Sequence, residues 1–150
     1  MLKQLEDEIA DVNSGEMVHS NEEIIWFHNE PLMGDFDLGK YAHAEGENTL
    51  AHGKASHSEG SETRASGESS HAEGQFTEAG YAAHAEGKYT IASGNHSHAE
   101  GVRTQAIMSN AHAEGSYTTA SGNAAHAEGY KTEASGQQAH SEGNNTIASG

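Results

Sequence analysis

The sequence predicts an all-β fold, a parallel β-roll solenoid of fourteen-residue coils with two short strands in each. Three observations predict it. The phrase His-(Ala/Ser)-Glu-Gly returns eight times at a nearly constant interval. Small residues alternate with variable ones around every copy, the period-two mark of a strand. Glycine and two loosely specified residues then follow at each place where a coil must turn.

The phrase begins at His43, His57, His71, His84, His98, His112, His126 and His140, with spacings of fourteen except for thirteen between His71 and His84. Six residues after each histidine stands a threonine, from Thr49 to Thr146, and eight after it an alanine, from Ala51 to Ala148. Each fourteen-mer is two sevens, small-His-small-Glu-Gly-x-x and Thr-x-Ala-Ser-Gly-x-x. Each seven supplies one strand and one turn. The turn glycines of the first seven are Gly46, Gly60, Gly74, Gly87, Gly101, Gly115, Gly129 and Gly143. Stacked at the usual strand spacing of about 4.8 Å, eight coils make a rod roughly 35–40 Å long.

The small positions are expected to face inward, because two sheets joined by such short turns leave room for little else. The outer face of the second strand carries Leu50, Arg64, Glu78, Ile91, Gln105, Thr119, Glu133 and Ile147, a series with no common chemistry, as on a solvated surface. The outer face of the first strand carries only His and Glu. Both irregularities, the residue lost before Gly80 and the replacement of Ser-Gly by Ile107-Met108, fall at the second turn.

Composition excludes an ordinary globule: 33% of residues are hydrophobic, many of them alanine, and 18 glycines accompany one proline. A net charge of −16 excludes nucleic acid as a partner and disfavours anionic membranes. No stretch is long and apolar enough for a transmembrane span, so no membrane insertion is expected. Glu6, Asp7, Glu8 and Asp11 stand where a secretory signal would have a basic region. Without cysteine there is neither a disulfide framework nor thiol chemistry.

Ahead of the array, residues 1–14 place Leu2, Leu5, Ile9 and Val12 at the 3-4-3 spacing of a helical seam. They are expected to form a short helix, either one strand of a trimeric coiled coil or an amphipathic helix packed on its own chain. Residues 15–40 form a connector with the cap residues Ile24, Ile25, Trp26 and Phe27, since a solenoid needs its first coil covered. The same run would also serve as a docking surface. Residues 41–150 are the repeat array, expected to continue in a longer natural protein because it stops on a coil boundary.

The His/Glu face admits four readings. Acid–base catalysis has the right residue types, but eight equivalent copies are not a unique site, so no catalytic residue and no enzyme is expected. Metal binding would use the His nitrogens and Glu oxygens of the ladder; no cofactor is expected. A solvated polar ladder left by recent duplication is the bland reading. An oligomer interface explains one fixed face and one free face, because a buried carboxylate demands a hydrogen-bonding partner. This last is the reading preferred here. Its residues are His43, Glu45, His57, Glu59, His71, Glu73, His84, Glu86, His98, Glu100, His112, Glu114, His126, Glu128, His140 and Glu142.

The doubled seven-residue pulse, small-x-Ala-x-Gly-x-x, resembles the head repeats of YadA-like trimeric autotransporter adhesins over residues 42–150. The wording SHAEG…TxASG is closer still to repeats in tail-fibre-like proteins of phages and prophages of Gram-positive bacteria. The resemblance implies a left-handed roll, a homotrimer, and the His/Glu column facing the trimer axis, where the adhesins carry Val and Ile. It implies a non-enzymatic structural module of a virion tail fibre or related appendage, spacing or presenting a tip that meets a host-surface receptor or other fibre proteins. The alternative is the head of an adhesin on the bacterial cell surface.

Overall fold

The computed structural model describes residues 18–20, 23–25 and 39–150. The expected helix over residues 1–14 lies outside them, as do Trp26 and Phe27 of the expected cap. Ile24 and Ile25 belong to the strand Glu23–Ile25, which pairs antiparallel with Val18–Ser20. Among the described residues there is no helix.

From residue 39 onward the chain is a parallel β-solenoid of eight coils. Each coil holds a long strand of five residues, such as His43–Glu47 or His98–Val102, and a short one of two, such as Leu50–Ala51 or Gln105–Ala106. The long strands form one eight-stranded sheet and the short strands another, each ordered by coil. Pairing is in register, so His98 lies between His84 and His112, and Glu100 between Glu86 and Glu114. The stacked path reaches back to Gly39, whose N–H donates to the Ala51 carbonyl at 3.0 Å.

Identical stacking has a physical cause. A strand of small-His-small-Glu-Gly has a ready partner in the next copy of itself, since each inward alanine needs a neighbour of equal depth. The core is made of such residues: Ala65, Ala79, Ala92, Ala99, Ala106 and Ala113 are all fully buried. The bulkiest wholly buried side chains are threonines, Thr63, Thr77, Thr90, Thr104, Thr118 and Thr132. The inward placement expected for the small residues is what the structure shows. Such a core removes little apolar area per coil, and backbone ladders supply the continuous cohesion along the rod.

The turns are tighter than the glycine pattern alone suggests. The first glycine is the fourth residue of the long strand, at φ near +115°, and the sharp bend comes two residues later at a non-glycine such as Tyr89, Arg103 or Tyr117, with φ of 56–59°. There the N–H reverses direction. Arg103 donates back to the Lys88 carbonyl at 2.8 Å, whereas strand residues such as His98 donate forward, to Ala111 at 2.9 Å. The second turn repeats the device, with Asn110 donating back to Asn95.

The second glycine has no positive φ; it is set by proximity. A Cβ on Gly94 would lie 2.0 Å from the Met108 carbonyl oxygen, and one on Gly122 1.9 Å from that of Gly136. At Gly53, Gly94 and Gly122 the N–H also shares the alanine carbonyl of the next coil, at 3.2 Å. Met108, which stands in this column, makes no such second bond. The coil with the missing residue closes through Gly80, whose N–H reaches Ala92 at 2.8 Å.

Candidate functional site

The one chemically distinctive surface that recurs in every coil is the outer face of the long-strand sheet. Alternation along each long strand turns the residue between His and Glu inward and sends both ionisable side chains out. Parallel register then piles like on like. Histidine rings of successive coils are 4.6–4.9 Å apart between centroids. Most of these pairs are stacked, with interplanar angles of 18–27°; His43–His57 and His84–His98 are tilted by 33° and 53°.

Each histidine leans toward the glutamate of its own strand. The Nε2–Oε2 separation is 3.4 Å at His71–Glu73 and 3.8 Å at His140–Glu142, with the other coils between. Of these, His71–Glu73 comes within hydrogen-bonding distance. The Nε2 atoms of His57, His84, His112 and His126 are buried from solvent without a hydrogen-bond partner. Burial lowers the pKa of His84 and His112 below the usual 6.5. The neighbouring histidines, 71 and 98 in one case and 98 and 126 in the other, push the same way, while nearby glutamates oppose them. At neutral pH these rings are therefore uncharged beside a column of carboxylates.

The sixteen residues expected at an interface all lie on this one face, half-buried in the single chain, with His140 and Glu142 the most open at the end of the rod. The turn glycines expected from the sequence stand beside the first turn, one residue inside the strand end. The same His/Glu arrangement repeats from coil to coil along that face. For a metal, the rings stack in parallel instead of converging, and among the described residues no group of three or more His, Cys, Asp or Glu is placed to hold an ion.

A second surface was not legible from the repeat phrase. It runs along the first turn and carries the two residues after the first glycine. Phe76 stacks on Tyr89 at 4.8 Å and 1°, and the Arg103 guanidinium sits 5.2 Å from the Tyr89 ring and 5.6 Å from that of Tyr117. These residues read as loose filler along the chain. Stacking of the eight coils brings them together at one turn position.

An in-register, fourteen-residue, two-sheet roll with a small-residue core and one chemically fixed outer face defines a structural repeat module. The family model of the YadA head domain repeat matches residues 79–104, in two copies. Together with the fourteen-residue coil geometry, this match supports YadA-like head repeats. The matched stretch includes the shortened turn at Gly80 and the pairs His84/Glu86 and His98/Glu100. Among curated proteins none matches the chain. The repeat is an adhesin-type structural fold and not that of a known enzyme family.

Proposed function

We propose that the chain is a non-enzymatic structural module of a homotrimeric fibre, a rod in which three rolls turn their His/Glu faces to a common axis. YadA-like heads are trimeric in general. The observation that carries the reading is the His/Glu column itself: the Nε2 atoms of His57, His84, His112 and His126 are buried without a hydrogen-bond partner, 3.5–3.6 Å from the carboxylate of the same strand. A desolvated polar atom without a partner costs about 1–3 kcal/mol. A second and third copy on this face would supply the missing donors and acceptors, and would cover a roll whose own core is thin. In this arrangement the rod spaces or presents the receptor-binding tip of a phage tail fibre or related appendage on the virion.

The YadA repeat match itself favours a second setting, the head of an adhesin displayed on the bacterial cell surface. The trimer is tested by sedimentation equilibrium of the 150-residue chain at neutral pH. The expected mass is three chains, falling to one or to aggregate when His84, His98 and His112 are all replaced by alanine. A monomeric parent, or a triple variant that stays trimeric, removes the His/Glu face from the interface. Antibody labelling of purified virions against intact cells separates the two settings.

A further inference from the structure

From its third coil onward the first-turn edge carries bases and no acid. Its two turn positions hold Glu47 and Glu62 in the first two coils, but from Gln75 to Asn145 neither position holds an acid. The chain as a whole has 23 acidic and 7 basic residues. Three of the bases, Lys88, Arg103 and Lys131, stand on this edge instead, among Phe76, Tyr89, Tyr117 and Tyr130. Those four aromatic side chains are each 41–48% exposed, which is too open for a core role.

The geometry around Arg103 says what the edge can recognise. Its guanidinium lies between the Tyr89 and Tyr117 rings, and among the described residues no carboxylate forms an ion pair with it. The far face of Tyr89 is already taken by Phe76. Tyr89 is thus covered on both sides within the ladder, and ring edges, phenol tips and the guanidinium rim are what Tyr89 and Arg103 offer outward. Aromatic edges are the positive part of the ring quadrupole, and a stacked guanidinium keeps its in-plane N–H fork for an oxyanion. Beside this ladder is an open groove of about 500 Å³ lined by Tyr89, Ile91, Arg103, Gln105, Tyr117 and Thr119. Gln105 and Thr119 add an amide and a hydroxyl that both donate and accept.

We propose that this edge binds a linear carboxylated polysaccharide lying along the rod, with Arg103 taking a carboxylate and the Tyr89 and Tyr117 phenols, Gln105 and Thr119 taking sugar hydroxyls. Charge spacing selects this occupant. Lys88 and Arg103 sit in successive coils and Lys131 two coils further, one cation every 5–10 Å or so at strand spacing. A nucleic-acid duplex, with one charge per about 1.7 Å, is too dense for that row and is repelled by a chain of net charge −16. A neutral glycan leaves Arg103 without its anion. An acidic peptide offers the anion without the run of hydroxyls that the groove lining matches. The inference is independent of the trimer reading, provided the edge stays open in the assembly.

The test is binding of the 150-residue chain to polygalacturonate, with dextran and polyglutamate in parallel, followed by calorimetry or biolayer interferometry. Asparagine already occupies the Tyr89/Arg103/Tyr117 turn position at Asn48 and Asn145, with φ of 53–54°. Arg103→Asn, Tyr89→Asn and Tyr117→Asn are therefore compatible with the folded coil, which circular dichroism checks. Polygalacturonate is expected to bind and dextran not to. Arg103→Asn is expected to weaken binding at least about tenfold, the scale of a lost charge-assisted hydrogen bond, and each tyrosine variant to weaken it less. Lys54→Ala, on the opposite edge, is expected to change nothing. The proposal fails if polyglutamate binds as well as polygalacturonate, if Lys54→Ala matches Arg103→Asn, or if Arg103→Asn leaves binding intact.

Discussion

The two halves of each coil obey different rules. In the first half, His, Glu and Gly are the same in all eight copies. In the second half the outward residue runs from Leu50 through Arg64 to Ile147, one residue is missing before Gly80, and Met108 stands in a glycine column. The fixed glycine of the first half answers to two constraints. Gly101 has φ of +115°, where a side chain is strained, and a Cβ there would also lie 2.0 Å from the Gly115 carbonyl oxygen. Gly122, its counterpart in the second half, answers only to the close approach of Gly136. A position with one constraint can yield by a local shift of the backbone, as Met108 shows. A position with two cannot relieve both by the same movement.

The largest expected effect breaks that comparison at the glycines. Gly101→Ala combines backbone strain with a backbone clash and is expected to cost roughly 3–5 kcal/mol. Gly122→Ala is expected to cost roughly 1–3 kcal/mol from the clash alone. Urea unfolding followed by circular dichroism measures both. Equal losses at the two sites would mean that proximity, not φ, is what fixes the first glycine. Because stacked repeats need not unfold in one step, the comparison rests on transition midpoints.

The same pair of glycines shows how far sequence reading carries. The fourteen-residue period, the inward small residues and the outward His/Glu column were all legible, because strand alternation and exact repetition are properties of the string of letters. The site of the bend was only half legible. Glycine marked the neighbourhood, while the residue that actually bends, such as Tyr89 or Arg103, has an identity that varies from coil to coil and so carries no repeat signal. The Tyr89–Arg103–Tyr117 ladder was hidden for the same reason. Its members are fourteen residues apart, and only stacking makes them neighbours.

Acidification is expected to have an intermediate effect, confined to the first half. The folded-state pKa values of His84 and His112 lie below 6.5, so between those values and 6.5 the unfolded chain binds more protons than the folded one. Stability from this source is fully present above about pH 6.5 and is lost as pH falls through the folded values. The urea midpoint is therefore expected to drop from pH 7.5 to pH 5. His84→Gln combined with His112→Gln is expected to flatten that slope, since neither replacement titrates. A double variant with the parent slope would place the pH sensitivity elsewhere in the coil.

The smallest expected effect concerns the seam where the two halves meet inside the roll. Thr77, Thr90, Thr104, Thr118 and Thr132 each bury a hydroxyl that has no hydrogen-bond partner. Thr63 and Thr146 are hydrogen-bonded instead; Thr146 donates to the Glu142 carbonyl at 2.9 Å, and both threonines share a feature five residues earlier. There Ser58 and Ser141 replace the usual alanine and reach the threonine oxygens at 2.8 and 2.9 Å. Ala99 is fully buried in the corresponding place opposite Thr104. Ala99→Ser adds one oxygen in a position that two other coils already accommodate, and is expected to stabilise the chain by about 1 kcal/mol, the net value of a buried hydrogen bond. Ser58→Ala is expected to lose about as much or somewhat more, because it strands the Thr63 hydroxyl. The two urea midpoints should therefore move in opposite directions. If Ala99→Ser moves the midpoint down, the alanines are held by packing alone, and the seam belongs with the tightly specified first half of the coil and not with the permissive second.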